Sequence, residues 1–213
     1  MRGDVIIVEE HHRRAADHIV ERLAPEVRQR TRRTTLTVAG ESGSGKSETG
    51  KALKEAFEGS GISAAVLQQD DYFVLPPLSN DRKRREDISW VGTEEVQLDL
   101  LDNHLKAAKE GEESVTKPLI IYEEDRVTEE ELSLRGISVL IAEGTYTTLL
   151  EEADHRVFID RDYHATLEAR RRRGREKIEP FLEEVLEIEH GIISESKKRA
   201  DIVIGADYDV LFR

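Results

Sequence analysis

Cysteine is missing from this chain altogether. That excludes disulfides, thiolate zinc sites and cysteine nucleophiles. Long apolar runs are missing too: no stretch approaches the length of about 18 residues that a membrane-spanning helix needs, and no signal peptide is visible. A cytoplasmic protein without a membrane partner is the expectation. An excess of positive charge is also lacking. The net charge is −13, which argues against general binding to nucleic acid or to anionic lipid. Internal repeats and low-complexity linkers are absent, and 213 residues suit a core of α/β size.

One stretch organises what is present. Gly40-Glu41-Ser42-Gly43-Ser44-Gly45-Lys46-Ser47 fits the G-x-x-x-x-G-K-[ST] phosphate loop without a mismatch. The apolar run Leu36-Thr37-Val38-Ala39 precedes it, and a helix-like stretch, residues 47–57, follows. Strand, glycine turn and helix let backbone N–H groups close on phosphate oxygens, with partial positive charge from the helix N-terminus. Residues 40–48, ending at Glu48, are expected to hold a nucleoside triphosphate. Lys46 would reach the β- and γ-phosphates, and Ser47 would offer its hydroxyl to Mg²⁺. A guanine-reading Asn/Thr-Lys-x-Asp segment, which a GTPase switch would need, is absent.

Other candidates fall at strand ends, where open α/β sheets bind ligands. Residues 62–67 read as a buried strand leading into Gln68-Gln69-Asp70-Asp71-Tyr72-Phe73. One aspartate there could take a proton from a substrate hydroxyl, and one could organise Mg²⁺. Residues 137–142 carry no charge and end at Glu143, the place for an acidic Mg²⁺ or water ligand. Residues 163–173 read as a helix ending in the run Arg170-Arg171-Arg172-Arg173-Gly174-Arg175, suited to a lid over a moving phosphoryl group. Residues 5–8 read as a short strand or extended arm, residues 11–23 as a helix, and residues 28–33 as a basic connection, either solvated or in contact with nucleotide or substrate phosphate. Residues 74–87 read as a loop, residues 117–122 as an extended segment, and the acidic runs at 123–125 and 129–131 as solvated. A long helix is expected over 180–200 and a last short strand over 201–204.

Taken in order, the phosphate loop, Gln69-Asp70-Asp71-Tyr72-Phe73, Glu143-Gly144 and the arginine-rich helix resemble the phosphoribulokinase/uridine kinase family over residues 36–204. That family includes uridine–cytidine and nicotinamide riboside kinases. The resemblance implies a P-loop NTPase fold, a parallel β-sheet flanked by helices with a helical arginine-rich lid, on residues 36–213. Residues 1–35 would be an N-terminal strand and helix packed on that domain. It implies transfer of the γ-phosphoryl of ATP to a hydroxyl of a small-molecule acceptor, with Mg²⁺, and it allows assembly with further copies of the chain. By position, Asp70 matches the catalytic base and Arg170 and Arg173 match the paired lid arginines, with Lys46 on the phosphates completing the catalytic set. Ser47, Glu143 and Asp70 would serve the metal. Asp70, Tyr72, Asp87 and Tyr122 would face the acceptor, Asp87 at a ribose-binding position. The uridine–cytidine kinases hold the pyrimidine with a Pro-x-Tyr-x-Phe-x-x-His segment. Aligned on Pro118, this chain has Ile120 for the Tyr and Asp125 for the His, and keeps an aromatic only at Tyr122.

Overall fold

A computed structural model describes residues 6–173 and 179–213. In chain order the elements are α1 (Glu10–Gln29), β1 (Thr34–Gly40), α2 (Lys46–Gly59), β2 (Ala64–Gln68), α3 (Pro77–Glu86), α4 (Leu98–Glu110), β3 (Ser114–Ile121), β4 (Arg126–Ser133), β5 (Val139–Glu143), β6 (His155–Ile159), α5 (Leu167–Arg173), α6 (Pro180–Ser196), β7 (Ile202–Ile204) and β8 (Val210–Phe212). The central sheet runs β2-β5-β1-β6-β7-β8. Its first five strands are parallel, and β8 closes the edge antiparallel to β7. Glu143 pairs with Val38 on one side and with Gln68 on the other. The carboxyl ends of β1, β2 and β5 therefore finish in one line beside the glycine loop.

Both faces of the sheet are covered, as a parallel sheet requires. On one face, Ile19 and Leu23 of α1 and Leu53 and Phe57 of α2 pack on Leu36, Val38 and Ile141. On the other, Leu101 and Leu105 of α4 and Ile193 of α6 pack on Leu67, Leu140 and Phe158. Truncating Phe57, which is 1% exposed, to alanine would cost ~3–5 kcal/mol. No helix among the described residues is long and apolar enough to cross a membrane.

Several expectations are corrected. The first helix runs through Pro25 to Gln29, because Leu23, Ala24 and Val27 on either side are buried. Residues 6–9 form no strand. The basic connection is a set of staples: Arg30 and Arg32 pair with Asp154, and Arg33 donates to the carbonyls of Ala108, Glu112, Leu134 and Ile137. Residues 77–86, expected as loop, form α3. Pro77 occupies its first turn, where a missing N–H costs nothing. Asn80 is its only buried residue, so no apolar stripe announces it. The acidic run Glu129 to Glu131 is strand β4, paired along its length with β3. The strand β8 was also not foreseen; only three residues long, it has no fully buried position.

Candidate functional site

The phosphate loop is shaped by its glycines. Gly43 and Gly45 have φ of 75° and 97°, backbone that other residues rarely adopt. A Cβ on Gly43 would stand 2.7 Å from Arg170 Cγ, and one on Gly45 would stand 2.9 Å from His12 Nε2. Inside the loop, Ser44 Oγ is buried without a partner among the described residues, and Lys46 Nζ donates to the Glu41 carbonyl at 2.9 Å. Backbone N–H groups, a lysine and an orphaned hydroxyl around one concavity fit a polyphosphate.

Glu143 closes the sheet side of the loop. It is 3% exposed, accepts a hydrogen bond from Ser47, and faces the Gln68 amide at 3.4 Å. Burial, and then the charge of Asp70, push its carboxyl up to about 7, while Lys46 pulls it down. The charge of Asp70 thus reaches Glu143, whose carboxyl also accepts from the Ser47 hydroxyl. Two crowded carboxylates and a hydroxyl form a hard-oxygen set that fits Mg²⁺.

Asp70 and its neighbours point apart because residues 69–72 form a 3-10 turn. Asp70 is half-buried and turns to the site. Asp71 turns inward, accepting from the Ile120 N–H at 3.1 Å and from Lys117 Nζ at 2.9 Å. Lys117 also pairs with Glu130 at 2.7 Å, across the β3–β4 hairpin. Tyr72, expected to face the acceptor, lies fully buried with its hydroxyl 2.8 Å from His104 Nδ1. Burial raises its pKa well above the phenol range. It is a core residue, and its role at the acceptor is withdrawn.

The acceptor side is assembled from polar contacts. Asp125, at the hairpin tip, accepts from the Leu78 and Ser79 N–H groups and the Ser79 hydroxyl, and so caps α3 from another element. Arg84 of α3 binds Glu95 and Glu189, and Asn80 bridges Glu95 and the Trp90 indole. Asp87 is exposed and accepts from the Ser89 N–H and hydroxyl. Tyr122 is exposed beside the hairpin tip. A cleft of about 560 Å³ opens between α2 and the hairpin. Ser47, Gln68, Asp71, Lys117, Glu130 and Glu143 line it with the apolar Ile6, Val66 and Leu119, and no aromatic side chain among the described residues does.

The lid helix is joined to the loop by residues that the sequence did not single out. Glu41 accepts from the Tyr163 N–H at 2.7 Å and contacts His190 Nδ1 of α6 at 2.7 Å. Thr166 donates to the Ser42 carbonyl at 2.7 Å. Arg170 is buried and donates to the Tyr163 carbonyl at 2.8 Å. The Arg173 side chain, with Gly174 and Arg175, lies outside the described residues. No local pattern marks Tyr163, Thr166 or His190, since each is recruited across more than a hundred residues.

Residues 35–205 match the Phosphoribulokinase / Uridine kinase family. A bifunctional alpha-galactosidase/sucrose kinase of Mediterraneibacter gnavus is 32% identical over 84% of this chain, which spans 20% of that protein. A uridine kinase of Staphylococcus epidermidis is 28% identical over 80% of this chain and 86% of its own length. The solved phosphoribulokinase from Rhodobacter spheroides superposes with a TM-score of 0.65 at 12% identity, over 82% of this chain and 70% of its own. With its phosphate loop, acidic strand ends and matched length, this chain belongs to the phosphoribulokinase/uridine kinase family of kinases.

Proposed function

We propose that the protein transfers the γ-phosphoryl group of ATP to a hydroxyl of a small sugar-like acceptor. The observation that carries the kinase half is the meeting of Asp70, Glu143 and Ser47 beside the phosphate loop. The loop amides and Lys46 hold the triphosphate. Ser47 and Glu143 would hold Mg²⁺, directly or through water, with Asp70 contributing charge nearby. Bound there, Mg²⁺ would supply neutralisation of phosphate charge. Asp70 accepts the proton of the acceptor hydroxyl and aligns its oxygen for attack. Arg170, at the loop's outer side, and Arg173 answer the charge that spreads over the transferring group.

The acceptor class rests on the cleft and on the hairpin. Beside Ile6, Val66 and Leu119, the cleft is lined by amide, ammonium and carboxylate groups, which can hydrogen-bond hydroxyls, and no aromatic ring among the described residues that line it offers a base a stacking face. Ile120 is buried in the hairpin, and Asp125 is committed to capping α3, so two positions that would read a pyrimidine do other work. The sucrose kinase relative points the same way. A nucleoside acceptor is the second reading, favoured by Tyr122 and by the uridine kinase relatives.

ADP formation with ATP, Mg²⁺ and a panel of sugars, polyols, sugar phosphates, hydroxy acids, vitamins and nucleosides decides between them. Transfer to a sugar or polyol is expected. Transfer to uridine alone would overturn the acceptor class, and ADP release independent of any acceptor would overturn the kinase reading.

A further inference from the structure

The family match spans residues 35–205, and the chain on either side of it converges on the phosphate loop. From the N-terminal side, α1 brings His12, 5% exposed, against Gly45. From the C-terminal side, the turn between β7 and β8 brings Tyr208. A Cβ on Gly45 would stand 3.1 Å from the Tyr208 hydroxyl. Tyr208 is 8% exposed and has a φ of 62°, a conformation that costs a bulky residue energy and is kept where the surroundings enforce it. The turn is tied by Tyr208 N–H to the Gly205 carbonyl and by Gly205 N–H to the Asp209 carbonyl. His11 lies over the Tyr208 ring at 4.0 Å, and His12 meets it edge-on at 5.1 Å.

The hydrogen bonds at this junction have one consistent direction. The Glu9 N–H donates to His12 Nδ1 at 3.1 Å. A backbone amide can only donate, so Nδ1 is the bare nitrogen and Nε2 carries the proton of the neutral ring. Burial, and then His11 and Arg161, lower the His12 pKa to about 4, which keeps the ring neutral at pH 7. His12 Nε2–H therefore donates to the Tyr208 oxygen at 3.3 Å. Arg161 Nη1 donates to the same oxygen at 2.9 Å. Both acceptor positions of the hydroxyl are filled. Its own proton has no acceptor among the described residues, and the hydroxyl lies beside the Gly45 backbone.

We propose that Tyr208, oriented by His12 and Arg161, is a donor-nucleotide residue whose hydroxyl binds an oxygen beyond the β-phosphate, on the α-phosphate or the ribose. The N-terminal helix is then part of the ATP site and not only a cover for the sheet. Tyr208 makes the contact, and His12 acts through it as a positioning residue. The inference rests on the kinase reading only in taking ATP as the donor.

Calorimetric binding of ADP and of pyrophosphate to the full chain tests it without turnover. Tyr208→Phe removes one oxygen and keeps the ring between its neighbours. It is expected to weaken ADP about tenfold, as loss of a hydrogen bond to a charged or strongly polar group does, and to leave pyrophosphate unchanged. His12→Ala should weaken ADP similarly, and the double variant should bind ADP no more weakly than Tyr208→Phe alone. A smaller effect on adenosine than on ADP would assign the contact to the α-phosphate, and an equal effect would assign it to the ribose. Unchanged ADP binding in Tyr208→Phe, or equal loss of ADP and pyrophosphate, would overturn the proposal. Wild-type protein that binds ADP but phosphorylates nothing would overturn the kinase reading and leave this contact standing.

Discussion

The donor and acceptor sides of the cleft are built in different ways. On the donor side, α2 buries Ala52, Leu53 and Phe57, and the loop before it is fixed by glycine backbone. On the acceptor side, α3 buries only Asn80 and is held by Glu95, Glu189, Trp90 and Asp125. The donor loop is set by apolar packing and backbone geometry. A polar scaffold of this kind can be altered one contact at a time, which suits the side that must distinguish acceptors. The family relatives, a sucrose kinase and uridine kinases among them, differ in that function.

Four substitutions can break or sharpen this contrast. The largest effect is expected at the junction of the two sides. Asp70→Ala should lower kcat by about 10³-fold, the scale of a lost general base, while ADP binding by calorimetry stays near wild type. Next is the acceptor scaffold. Glu95 is fully buried and pairs with Arg84, which burial would push down but Glu189 and Glu95 hold protonated. Glu95→Ala leaves that arginine short of its partner and should cost ~3–5 kcal/mol in denaturant unfolding. Wild-type stability would mean that α3 is held by something else.

Glu143 gives a pH-dependent effect of middle size. Its folded pKa is raised from 4.5 to about 7. The protonated form therefore favours folding below about pH 4.5, and that contribution is lost as pH rises through about 7. Glu143→Gln should raise Tm at pH 8 in the absence of Mg²⁺, leave it unchanged at pH 4, and raise the Mg²⁺ concentration that transfer needs. A lower Tm at pH 8 would contradict the crowding of Glu143 with Asp70. The smallest effect is at the hairpin tip. Asp125→Ala removes the cap of α3, at a cost of ~1 kcal/mol, and should raise KM for the acceptor while leaving KM for ATP alone. Equal changes in both would merge the two sides that the comparison separates.

The donor side was legible in the sequence because local patterns build it. The glycine spacing, the uncharged run before Glu143 and the Gln69-Asp70 strand end are local patterns, and the parallel sheet brings them together. The acceptor side was not. Pro76-Pro77 and seven charged residues hide α3, whose partners lie on α6, the hairpin and the segment after it. Tyr72 was placed at the acceptor by the family resemblance alone, and the 3-10 turn over residues 69–72 turns it into the core. The strand β4 has Glu at three successive positions, so it lacks the alternation that marks a half-buried strand. His12 and Tyr208 meet only because α1 and the β7–β8 turn lie against the same loop.

The most direct test of the central claim is ADP release by wild type and Asp70→Ala, with and without a phosphorylated acceptor found in the panel. Acceptor-dependent release in wild type that collapses in Asp70→Ala, with nucleotide binding intact, is the predicted result. Release at the same rate without acceptor, or wild-type turnover in Asp70→Ala, would contradict it.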